Sequence, residues 1–124
     1  MEEGERVASA ALRELQEETG FGREAIEAFY DLDLVNQFHE PSYDAIVTAA
    51  VFAVRVLADR EPRLSSEHND SRWLPLSQAH RDVIWPGYRT ALERIRDDLA
   101  PAERAAWFEL TLDGQRLERP GDGQ

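Results

Sequence analysis

RELQEETGF, residues 13–21, closes a stretch that begins with GERVASAAL, residues 4–12, and it sets Glu14, Glu17 and Glu18 within five positions of one another. Apolar residues fall at Val7, Ala8, Ala11, Leu12 and Leu15, a helical spacing that predicts a helix over 6–19. Gly20 stands where a left-handed C-terminal residue belongs, and Phe21 can fold back on the helix. At about 100° per residue the three glutamates share an arc of ~100°, beside the apolar arc. Like charges at this spacing destabilise a helix by a few tenths of a kcal/mol per pair, and two of them sit in the last turn, where the helix dipole disfavours them. Helix stability therefore does not explain the cluster. A bound hard cation does: Mg²⁺ takes oxygen ligands, typically one or two carboxylates together with water and phosphate oxygens.

The remainder of the chain limits what such a cation site can serve. At 124 residues the chain is long enough for one core and too short for two. The formal net charge of −11 argues against nucleic acid, whose phosphates are neutralised by Lys and Arg. An acidic protein can still hold a small phosphate ester when divalent cations lie between them. All 14 basic residues are Arg, so any cationic phosphate contact must come from a guanidinium. With no cysteine there is no thiolate metal site and no disulfide framework. The longest apolar run, AIVTAAVFAV (45–54), is too short to cross a bilayer and suits a buried strand. MEEGERVASA lacks the basic-then-apolar order of a signal peptide, which fits a cytoplasmic location.

Beyond the first helix, AFYDLDLVNQF (28–38) and AIVTAAVFAVRVL (45–57) read as antiparallel strands joined by a turn at Pro41. ADREPRLSSEHND (58–70) reads as a polar loop, and RWLPL (72–76) as a short strand in which Trp73 points into the core. A short helix is expected near Ser77–Val83 with Ser77 as its N-cap. A second begins at WPGYRTALERIRDDLA, with Tyr88, Leu92, Ile95 and Leu99 on one stripe. PAERAAWF (101–108) predicts a helical turn opened by Pro101, and ELTLDGQRL a tight hairpin at Asp-Gly. The domain is expected over 1–110, with 111–124 an extension or tail.

The string Glu5, seven residues, then Arg13-Glu14-Leu15-x-Glu17-Glu18-x-Gly20-Phe21 resembles the Nudix box. A chance match is on the order of one in 10,000 chains or rarer. The resemblance implies an α/β fold, an α/β/α sandwich around a mixed sheet. It also implies a Mg²⁺-dependent pyrophosphohydrolase, with Mn²⁺ as a substitute, that cleaves a phosphoanhydride in a nucleoside triphosphate or another nucleoside diphosphate derivative. Matched position by position, Glu14, Glu17 and Glu18 are metal ligands and Arg13 orients them, with Glu14, Glu18 and Arg13 in the catalytic set. Glu5 matches an acid near the metal. VNQFHEPSYDAIVTAAVFAVRV, EHNDSRWL and WPGYRTAL are similar to bacterial members described as dATP or dihydroneopterin triphosphate pyrophosphohydrolases. By that likeness Glu67 is a fourth ligand or the general base, against a plain loop acid; His68 is a phosphate contact or a loop histidine without a role. Trp85 and Tyr88 stack on a base or pterin ring, or pack at the core or rim; Arg55 reaches substrate phosphate or caps its strand. The partner is then a small nucleotide or pterin phosphate, with no nucleic acid and no membrane.

The box's first glycine would fall two places before Met1, and the strands that precede the box in family members are absent from the sequence. The expectation is thus an N-terminally incomplete sandwich, explained by a downstream start, a fragment, or a short chain that survives as a homodimer. A rival reading from another class follows: a remnant with weak or no catalysis that binds nucleotide or protein.

Overall fold

The helix expected over 6–19 forms as α1, Val7–Thr19, in the computed structural model, which describes residues 6–63 and 73–117. Gly20 ends it in the left-handed region at φ 77°, donating its N–H to the Gln16 carbonyl at 2.8 Å. Thr19 Oγ1 donates to the Leu15 carbonyl at 2.6 Å and accepts the Phe21 N–H at 3.2 Å, which turns Phe21 inward to a buried position.

A 3₁₀ turn, Arg23–Ala25, leads into β1, Ile26–Glu40, which pairs antiparallel with β2, Ala45–Val56. The strands and their turn stand where the alternation and Pro41 placed them. In the turn, Ser42 donates its hydroxyl and N–H to the Glu40 carboxylate, and these bonds hold that carboxyl below its ordinary pKa. β1 is not regular: the register breaks between Asp31 and Leu34, where Asp33 takes a positive φ of 55° and gives its N–H to the Asp31 carboxylate at 2.9 Å. β3, Glu109–Leu110, lies on the other side of β1, so the sheet order is β2-β1-β3 and every described pairing is antiparallel.

Alternation along β1 gives the sheet two faces. Ala28, Tyr30 and Leu32 form one core with Ala105, packed by Leu34, Val51, Ala53, Ala91, Ile95, Leu99 and Phe108. Phe29 points to the opposite face and stacks on Phe52 with centroids 5.4 Å apart. Full burial of Phe29 and Leu32 contributes roughly 1.5–3 kcal/mol each. Helices cover the first face: α2, Leu76–Asp82; α3, Pro86–Arg94, continued by a π turn over Ile95–Leu99; and α4, Ala102–Ala105. With α1 over the second face, the α/β class and its layering hold, whereas the sheet expected to be mixed is antiparallel in every described pairing. Among the described residues no helix is long and apolar enough to cross a membrane.

Local expectations fail at three places. Residues 73–75 are not a strand. The following helix starts at Leu76, not Ser77, with Pro75 as its extended N-cap. The Pro75 carbonyl takes the N–H groups of Gln78 and Ala79 at 3.0 Å each, so the ladder begins one residue earlier and Ser77 makes no cap. Trp73 is 59% exposed rather than core, because its indole N–H reaches outward to Glu61 at 3.1 Å while the ring only edges Phe21, 6.5 Å between centroids. On α3, Ile95 and Leu99 reach the core as expected, but Ala91 takes the place expected of Tyr88, which is exposed.

The Asp113-Gly114 hairpin forms, with Leu110 bridged to Arg116 and Gly114 at φ 86°. It lies on α1: a methyl group at Gly114 would come within 2.8 Å of the Ala8 Cβ, and Asp113 pairs with Arg23 at 3.2 Å.

Candidate active site

α1 divides its charged residues between two flanks. Arg13 holds Glu17, Nη1 to Oε1 at 3.0 Å, and stands 4.0 Å from Glu14 Oε1. Arg13 was expected to orient the three glutamates; in the structure it pairs with Glu17 and approaches Glu14. Glu14 and Glu18 line a groove of about 390 Å³ between α1 and the sheet. Glu17 lies outside this groove, and Arg13 lines a smaller cavity on the other flank with Gln16 and Arg23. Among the described residues no three carboxylates or histidines converge on one point.

Along one wall the groove is lined by six consecutive residues of β2, Ala49 to Val54, which means that it runs along the outer edge of that strand and not across its face. Leu12 and Leu15 of α1 form a second wall, and Asn36, Phe38 and Tyr88 a third. Among the described residues, the only charged side chains in the lining are Glu14 and Glu18, and no Arg is among them. In a chain of net charge −11, a diphosphate entering this space meets repulsion unless cations intervene. Two carboxylates on one wall suit a hard cation that keeps water and phosphate oxygens in its remaining positions.

The other expected residues distribute as follows. Tyr88 is brought to the groove beside Glu14 and Glu18. Trp85, the N-cap of α3, is 65% exposed and does not line it. Arg55 pairs with Glu27 at 3.6 Å and lines a different cavity, of about 290 Å³, with Tyr30 and Ile95. Burial pushes the Tyr30 phenol above its ordinary pKa, with Arg55 partly opposing. Glu5, Glu67 and His68 lie outside the described residues. His39 and His80, which show no ligand spacing, are taken by Asp44 at 2.9 Å and Glu93 at 3.0 Å. Asn36 and Phe38 went unnoticed in the sequence. The available signal was an amide in a strand otherwise apolar on that face.

A family model described as NUDIX domain matches residues 1–95. An octanoyltransferase of Myxococcus xanthus is 34% identical over 96 residues, which cover 76% of this chain and 26% of that relative. The chain therefore spans well under a third of the relative's length. No solved structure matches the chain.

Proposed function

The chain belongs to the Nudix family, and on that premise we propose that it is a divalent-cation-dependent pyrophosphohydrolase. Its substrate is a nucleoside triphosphate or another nucleoside diphosphate derivative, such as a pterin-type triphosphate of the kind the sequence likeness suggests. Water adds to one phosphorus, the bridging P–O bond breaks, and two phosphorylated products leave. One observation carries the reading: Glu14 and Glu18 face a groove that has room for a ligand and, among the described residues, no basic side chain in its lining.

Glu14 and Glu18 would hold Mg²⁺ or Mn²⁺, with Glu17 turned in from the Arg13 flank and Glu67 as a further ligand or the base. When bound, the cation neutralises the diphosphate and lowers the pKa of attacking water. The protein's own part is to hold the carboxylates. Arg13 pairs with Glu17 and stands beside Glu14, and a carboxylate at hydrogen-bond distance from the water would accept its proton.

A second reading, a nucleotide- or protein-binding module, is favoured by the pairing of Glu17 with Arg13 outside the groove. The apolar lining, together with the octanoyl group in the relative's name, raises an acyl-bearing phosphoanhydride as an alternative substrate. Release of pyrophosphate or phosphate from a panel of nucleoside, pterin and acyl phosphoanhydrides, with and without Mg²⁺, decides among them. Cation-dependent turnover that Glu18→Gln abolishes is the expected result. No turnover of any member by the intact chain would overturn the enzyme reading.

A further inference from the structure

Two irregularities frame the cavity on the sheet face opposite α1. The register of β1 and β2 shifts between Ile26 and Ala28, which leaves Glu27 as the extra residue of a bulge. Over the same face, the π turn at Ile95–Leu99 is closed by the Ala100 N–H on the Ile95 carbonyl at 2.9 Å. Between them lies a space of about 290 Å³, lined by Tyr30 and Arg55 and by apolar side chains that include Ala53, Ile95 and Leu99. Ala53 stands directly across from Tyr30, and its single methyl group leaves this space open. Arg55, across from Ala28, shares the face. The polar groups offer donors. Tyr30 is 5% exposed, and among the described residues its hydroxyl has no hydrogen-bond partner. Burial, then Glu109 and Glu27 from outside the lining, hold this phenol protonated against the pull of Arg55, so it is a donor at neutral pH. Arg55 also makes no hydrogen bond among the described residues; it meets Glu27 in a loose ion pair, 3.6 Å from Nε. No carboxylate or amide side chain lines the cavity to receive either donor.

We propose that this cavity binds a small aliphatic monocarboxylate, its carboxylate on the Tyr30 hydroxyl and the Arg55 guanidinium and its chain against Ile95 and Leu99. A carboxylate serves both donors at once, because each oxygen accepts more than one hydrogen bond and the guanidinium fork matches its geometry. Glu27 competes for Arg55, but an exposed ion pair is weak and gives way to a ligand that is also held by the phenol and the apolar wall. The volume stands at the lower end of ligand cavities and suits a chain of about six carbons rather than a nucleotide. This site does not rest on the hydrolase reading: Glu14 and Glu18 line the groove against α1, and the two spaces share Ala53 and Val54 on the strand edge.

The test is a titration of the intact, ¹⁵N-labelled chain with hexanoate, read from its amide shifts. Saturable shifts are expected at Tyr30, Ala53, Arg55 and Ala100, with a Kd of ~1 mM for a ligand of this size. Acetate, which lacks the chain, and hexanamide, which keeps an acceptor without the charge, should each bind at least ~10-fold more weakly. Tyr30→Phe keeps the ring and removes its donor, and Arg55→Met keeps the stem and removes the charge; each should weaken hexanoate ~10-fold. Arg55 is 62% exposed, so its variant keeps the test decisive where a change at the buried Tyr30 disturbs the core. No saturable shift at these residues overturns the site. Hexanoate binding unchanged in Arg55→Met, or hexanamide bound as tightly as hexanoate, overturns the carboxylate as its ligand. None of these outcomes bears on the hydrolase reading, which is decided by turnover of phosphoanhydrides at Glu14 and Glu18.

Discussion

Replacing Arg94 by Met should weaken this fold more than any other change to a charged residue, although Arg94 itself does not line the groove. Its guanidinium donates to the carbonyl of Leu32 at 2.8 Å, inside the irregular stretch of β1, and Leu32 is 1% exposed. It also pairs with Asp98 at 3.2 Å and lies over the Phe108 ring, 5.8 Å from its centroid. A carbonyl left without its donor costs ~1–3 kcal/mol, and the lost cation–π contact ~0.5–1 kcal/mol. The ion pair adds at most about 0.5 kcal/mol, because Asp98 keeps Arg104 at 3.1 Å and such partly exposed pairs are weak. The total is about 2–4 kcal/mol, a large share of the ~5–15 kcal/mol that holds a domain folded. Urea unfolding followed by tryptophan fluorescence should show the midpoint falling by ~1–2 M at a slope of about 2 kcal/mol per M. Amide exchange should accelerate first at Asp33 and Leu34. Arg94→Lys should recover little beyond the ion pair, since one ammonium cannot serve carbonyl, carboxylate and ring together. A loss below ~0.5 kcal/mol in Arg94→Met, or exchange unchanged across 31–34, would refute the reasoning that Arg94 fastens the break in β1.

Other outcomes follow from the same geometry. Glu18→Gln and Glu14→Gln should each lower cation-dependent kcat/KM by upward of ~100-fold, since even an outer partner of a metal ligand is worth ~10- to 100-fold. Raising Mg²⁺ should partly rescue the activity, and an Mg²⁺ titration of initial rates checks it. Phe29→Ala removes a ring that is 1% exposed and stacked on Phe52, and should cost ~3–5 kcal/mol by chemical denaturation. Gly20→Ala places a side chain at φ 77° with its Cβ 3.3 Å from the Arg63 Cβ, and should cost ~1–2 kcal/mol by the same measurement. Burial raises the Tyr30 phenol above its model-compound value of 10.0, so the folded chain keeps that proton where the unfolded chain has lost it. The sign is then fixed: the contribution is fully present below pH 10 and is lost as pH rises through the folded-state value. Tyr30→Phe should flatten the alkaline fall in stability, and the difference absorbance at 295 nm between native and variant should have its midpoint above pH 10.

What the sequence made legible was whatever a short-range pattern dictates. The 3.6-residue apolar period and Gly20 were enough for α1, because helix and cap are decided within four residues of one another. Alternation and Pro41 were enough for the β1–β2 hairpin. The break at Asp31–Leu34 left a readable trace, two aspartates flanking Leu32 in a strand, since Asp is depleted in strands and tolerates positive φ. The start of α2 was misplaced because a serine cap looks stronger on paper than a proline carbonyl already held in extended geometry. Trp73 was misread because its size argues for burial, whereas its indole N–H settled on Glu61 at the surface. Arg94 had no local signal, as its main partner lies 62 positions away. The candidate site divides in the same way. The glutamates of one helix declare themselves by spacing, while Asn36, Gly87 and Tyr88 meet only after the sheet and α3 have packed.

The groove's placement explains why these two kinds of residue meet at all. Glu14 and Glu18 project from a helix on one face of the sheet, whereas Asn36, Phe38 and Gly87 belong to the other. A sheet one strand thicker at that side would separate them. They share one space because β2 is the outermost described strand and its residues at 49, 50 and 53 are alanines, short enough to leave its edge low between the two faces. A ligand that followed the whole groove would pass over this edge, between the carboxylates of α1 and the Asn36 side of the sheet. Bulk at Ala50 would raise this edge on the side of α1, whereas bulk at Ala49 would stand directly across from Asn36, its cross-strand partner.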